Sequence, residues 1–168
     1  MQPSIIKSAM FNGLIMGVIF SINFLFSISK ITALALLSYV LIAIIIVGIY
    51  KMVIRFRDVE CAGVISFWKA FSYILLTFFF AAINSSVVKY IYFQYINPGY
   101  LEEMFQESMK LMEKMKFPMN DASIAQMESI MKPASFTLQY IWGNVFVGTL
   151  VALIMSGFVK KEKDVFSE

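Results

Sequence analysis

The sequence predicts an all-α integral membrane protein, a bundle of four transmembrane helices with an amphipathic helical loop outside the membrane between the third and fourth. Three observations carry this. The 168 residues are 60% hydrophobic and only 15% charged, where an ordinary soluble domain carries about 25% charged residues, and mean hydropathy is positive. The apolar residues fall into four blocks, each about as long as the roughly 20 residues needed to cross a hydrocarbon layer of about 30 Å. Most of the acidic residues are confined to the stretch between the third and fourth blocks.

The same composition removes whole classes of chemistry. Histidine is absent and Cys61 is the single cysteine, so a disulfide framework, a Cys/His zinc site, a Ser-His-Asp triad and a Cys-His pair are excluded within one chain. Nothing supplies Cys61 with a base or a resolving thiol, and it is read as structurally incidental. A net charge of +3 implies no nucleic-acid partner. No cofactor is expected.

The first block, about residues 5–28, follows Lys7 closely and is interrupted by Asn12, Gly13, Gly17, Ser21 and Asn23. Ser27-Ile28-Ser29 has small residues at the spacing a signal peptidase reads, but the apolar stretch exceeds a 7 to 15 residue signal core, so an uncleaved span is expected. A very short connection at Ser29-Lys30 leads into the second block, about 31–54, which must therefore run antiparallel beside the first. Arg55, Arg57, Asp58 and Glu60 follow, and Gly63 permits a turn. Trp68 and Lys69 suit the membrane interface.

The third block, about 70–93, is rich in aromatics, contains Asn84, Ser85, Ser86 and Lys89, and stops at Asn97-Pro98-Gly99. The loop at about 98–133 balances Glu102, Glu103, Glu107, Glu113, Asp121 and Glu128 against Lys110, Lys114, Lys116 and Lys132. The last block, about 135–158, ends in Lys160-Lys161-Glu162-Lys163. With the N-terminus cytoplasmic, that side collects Lys7, Lys51, Arg55, Arg57, Lys69, Lys160, Lys161 and Lys163. The positive-inside rule thus predicts both termini on the cytoplasmic side and the loop on the opposite, periplasmic side.

Two ridges of small residues predict helix packing. Gly13, Gly17 and Ser21 recur every four residues in the first span, as do Asn144, Gly148, Ala152 and Ser156 in the last, and each set shares one helix face. Bilayer helices associate by close backbone approach over such faces. Run antiparallel, Gly13 falls near Ala152, Gly17 near Gly148 and Ser21 near Asn144, so the first and last spans are expected to touch.

Polar residues inside the spans are the candidate functional residues: Asn12, Asn23, Asn84, Lys89, Gln139 and Asn144. Asn84 and Lys89 form the candidate polar or lipid site. The competing account has Lys89 snorkelling to the headgroups among Tyr90, Tyr92 and Tyr95, and the asparagines serving as packing glue. No acidic residue lies within a span, which disfavours a proton or cation relay, and the interrupted helix pairs of a secondary transporter are not evident.

The loop holds Met104, Met109, Met112, Met115, Met119, Met127 and Met131. Thioethers at this spacing can hold Cu(I). The favoured reading is instead an amphipathic helix, with Leu101, Met104, Phe105, Ser108, Met112 and Met115 on one stripe opposite Glu102, Glu103, Glu113 and Lys114. A second short helix, from Asp121 or Ser123 to Met131, is expected after Pro118.

The order of features is specific: a tight first hairpin, Arg57-Asp58 leading to Gly63-Val64-Ile65-Ser66-Phe67 and Ala70-Phe71, then Tyr92, Tyr95 and Asn97-Pro98 into Leu101-Glu102-Glu103-Met104. This resembles a domain-of-unknown-function family of small four-helix membrane proteins widespread in Bacteroidota, and the resemblance spans nearly the whole chain. It implies an inner-membrane location and four spans, with no activity or site to carry over. The expected function is a non-enzymatic accessory or structural subunit of a membrane or envelope complex. Its partners would be membrane lipids and either another protein or further copies of itself. The alternatives are a protein that handles lipids or lipid-linked glycans through Lys89 and the basic inner loop, and an oligomeric small-solute channel or carrier.

Overall fold

A computed structural model describes residues 4–118 and 120–161; Met119, Glu162 and Lys163 of the predictions above lie outside them. Six α-helices follow in order: α1 (Ile5–Ser27), α2 (Thr32–Arg55), α3 (Phe67–Ile91), α4 (Tyr100–Lys114), α5 (Asp121–Ile130) and α6 (Pro133–Val159). Among the described residues there is no strand beyond one isolated bridge between Ile65 and Lys161. Four helices are long and apolar enough to cross a membrane, and the protein is a multi-pass membrane protein.

Local chemistry explains the boundaries. Ser4 and Ser66 offer side-chain oxygens to the first turns of α1 and α3, Asn120 caps α5, and Pro133 occupies the first turn of α6, where its missing N–H is not needed. The break between α2 and α3 uses Ala62 and Gly63, both at positive φ (54° and 79°). The predicted boundary of the second span falls short, because α2 continues through a π-helical turn, Phe56–Glu60. A second π-helical turn, Tyr92–Ile96, extends α3 to the stop at Asn97.

The third helix is the centre of the bundle, and this corrects the expected contact between first and last spans. α1 and α6 each pack chiefly on α3, on two different faces of it, and not on each other. A Cβ built on Gly13 would lie 3.0 Å from the Thr77 carbonyl oxygen and 3.3 Å from the Ala81 nitrogen, and one on Gly17 3.0 Å from the Ala81 oxygen. On the opposite flank, Gly148 meets the Phe78 ring, and Ala152 and Ser156 are fully buried. Ser21 and Asn144 do not meet either, since each bonds a carbonyl of its own helix, Gly17 and Tyr140. The ridges do create close helix approach, as lipid-phase packing requires, but against the aromatic and small residues of α3.

At one end, the start of α1, the α2–α3 connection and the end of α6 come together. The Ser8 hydroxyl donates to Glu60, Arg57 donates to the Val159 carbonyl, and Ile65 and Lys161 exchange backbone bonds. At the other end, α4 begins over an aromatic cluster in which Phe93 touches the rings of Phe24, Tyr92, Tyr100 and Phe136. The predicted amphipathic stripe holds for the first half of α4, where Leu101 and Phe105 are buried and Met104 packs beside them. It fails at Met115, which is 69% exposed together with Leu111 and Phe117, because α4 runs past the end of the surface that covers its first two turns.

Phe93 therefore holds α4 on the bundle. Phe93→Ala should leave the four long helices assembled but open the lysine-bearing segment around Lys110–Lys116 to trypsin. Cleavage there at the wild-type rate would show that α4 is held by something else.

Candidate functional site

The polar residues of α3 end up in different places. Asn84 faces α1, where its side-chain amide donates to the Leu14 carbonyl at 3.1 Å directly over Gly17. Lys89 is five residues on and turned toward α6. The fold thus separates the two members of the predicted polar site, and Asn84 acts as glue in the α1–α3 seam.

Lys89 does not snorkel among Tyr90, Tyr92 and Tyr95. Its side chain points into the bundle, the residue is 4% exposed, and the ammonium lies 4.1 Å from the ring centroid of Phe24 on α1 and 3.9 Å from that of Tyr140 on α6. The reason is geometric. Lys89 follows Phe78 and Ser85 on the α3 face that α6 covers, so its stem is already enclosed when it leaves the backbone. The aromatic cluster under α4 then closes the route toward the nearer end of the helix. Burial in that cluster raises the phenol of Tyr100 above its ordinary value.

Two ring faces stabilise a desolvated cation by about 2 kcal/mol, a fraction of the several kcal/mol that removing an ion from water costs. Among the described residues no carboxylate reaches Lys89, and no acidic residue lies in the hydrophobic heart of any span. The site is therefore a buried amine without a counter-charge of its own.

Around it lie further polar groups. The Ser85 hydroxyl is 3.4 Å from that of Tyr140, and Asn144 donates to the Tyr140 carbonyl at 2.9 Å. Asn23, next in sequence to Phe24, has a buried side-chain oxygen with no hydrogen-bond partner. Asn23, Tyr140 and Asn144 face a cleft of about 220 Å³ whose remaining walls are apolar, supplied by Phe20, Phe78 and aliphatic residues of α2 and α6 such as Ile42, Ile46 and Val147. A small polar floor in an apolar cleft is what a ligand from the lipid phase meets in a typical binding site.

The other predicted polar positions serve packing or face outward. Asn12 donates to the Tyr73 hydroxyl at 2.7 Å, and Gln139 is exposed. Phe24 and Tyr140 were not anticipated as site residues. For Tyr140, the spacing of four from Asn144 on one helix face was a usable signal; for Phe24 there was none, since its role depends on a lysine 65 positions away.

A family model described as "Protein of unknown function (DUF4199)" matches residues 9–161, which include all of the residues around Lys89. No curated protein and no solved structure matches the chain. The arrangement around Lys89 thus lies within a defined family whose function is unknown, as the resemblance implied: the chain belongs to DUF4199.

Proposed function

We propose that this protein is a non-enzymatic, lipid-binding component of a bacterial inner membrane, with both termini cytoplasmic, that holds the acidic head of a membrane amphiphile at Lys89. The observation that carries the reading is the buried ammonium between two rings with no acid beside it. A lipid supplies what the chain lacks. Its chains occupy the apolar cleft between α2 and α6, its head reaches past Tyr140 to the cation, and a hydroxyl or amide donor on it satisfies Asn23.

The test is native mass spectrometry of tagged protein extracted in a lipid-preserving medium. Lys89→Met keeps the stem and removes the charge, so it should fold and lose the retained acidic lipid by about tenfold or more, the equivalent of 1.4 kcal/mol. Equal lipid retention in the variant would end this reading.

A second reading, an accessory subunit of an envelope complex, is favoured by the exposed Leu111, Met115 and Phe117 at the far end of α4, read as periplasmic. The same spectra decide it. A stoichiometric partner that is lost on Leu111→Ser with Phe117→Ser supports it, and a homo-oligomer instead places the contact between copies of this chain.

A further inference from the structure

At the opposite end of the bundle from Lys89, α1 and α2 part to form a cleft of about 540 Å³. Its walls carry Lys51 and Arg55 from α2, Glu60 from the π-helical turn that follows, and Asn12 and Phe11 from α1. The two cations are one helical turn apart, hence on one face of α2, and both are exposed. Neither pairs with a carboxylate among the described residues. The Glu60 carboxylate accepts from the Ser8 hydroxyl of α1. Apolar Ile15 and Met52 continue the cleft toward the middle of the bundle.

We infer that this cleft binds the head of an aminophospholipid, with the phosphate between Lys51 and Arg55, the primary ammonium at Glu60, and the acyl chains along the apolar wall. The occupant follows from the charge pattern. Two cations beside an apolar wall at a helix end recognise a lipid phosphate. A carboxylate in the same cleft repels a purely anionic head and favours one that carries N–H donors of its own. A trimethylated head offers no such donor and is bulkier. The site stands apart from Lys89 and does not depend on it.

The experiment is native mass spectrometry of delipidated protein titrated separately with phosphatidylethanolamine, phosphatidylcholine and phosphatidylglycerol of identical acyl chains, with thermal stability as the check on folding. Phosphatidylethanolamine should bind at least about tenfold more tightly than phosphatidylcholine. Lys51→Gln with Arg55→Gln should weaken it about tenfold or more. Glu60→Gln should erase the preference over phosphatidylcholine while leaving phosphate-dependent binding. Equal binding of phosphatidylcholine, or indifference of phosphatidylethanolamine binding to the double substitution, would each overturn the assignment.

Discussion

Leucine in place of Gly17 should destabilise the bundle by about 3 kcal/mol, the upper part of the range for overpacked cores. A Cβ at this position already falls 2.7 Å from the Asn84 side chain and 3.0 Å from the Ala81 carbonyl oxygen. The obstacle includes the backbone of α3, so the helices must separate, and the Asn84 bond to Leu14 is lost with them. Unfolding by a denaturing detergent in mixed micelles measures this. Gly143→Leu is the control, since nothing lies within 4 Å of that position, and it should be neutral. Similar stability of the two variants would mean that α1 does not approach α3 at Gly17.

The second large effect is expected at Tyr73, a fully buried ring stacked on Phe56 at 4.2 Å whose hydroxyl accepts from Asn12. Removing the ring in Tyr73→Ala should cost about 3–5 kcal/mol, the range for large aromatic truncations. Tyr73→Phe keeps the ring and removes the hydrogen bond, for which couplings between membrane helices average about 0.6 kcal/mol. The ratio of the two losses separates packing from hydrogen bonding. If the phenylalanine variant fell as far as the alanine one, the Asn12 bond to α1, rather than the ring stacked on Phe56, would be what holds Tyr73 at this level.

These predictions rest on different kinds of legibility. The existence of α1, α2, α3 and α6, the turn at Gly63, the stop at Asn97-Pro98-Gly99 and the short α5 were readable because each depends on neighbouring residues: hydropathy over a helix length, a cap, a proline. The π-helical continuations were not, since Phe56–Glu60 and Tyr92–Ile96 have the composition of helix ends and differ only in how the last turns are wound. The small-residue ridges of α1 and α6 pack on α3 instead of on each other. Lys89 points toward Phe24 and Tyr140 instead of toward water.

The sequence by itself determined the solvent and the number of spans, because partitioning into hydrocarbon is a sum over local apolar surface and backbone hydrogen bonds close within each helix. It also determined that no histidine- or thiol-pair chemistry is available. Only the tertiary structure decided which helices share an interface and what surrounds each polar group. In lipid, a glycine face fits any neighbour shaped to receive it, so the periodicity of α1 and α6 names a surface but not its partner. The environment of Lys89 is set by residues 65 positions before and 51 after it in the chain, and α3 brings them together by lying between the two helices that carry them.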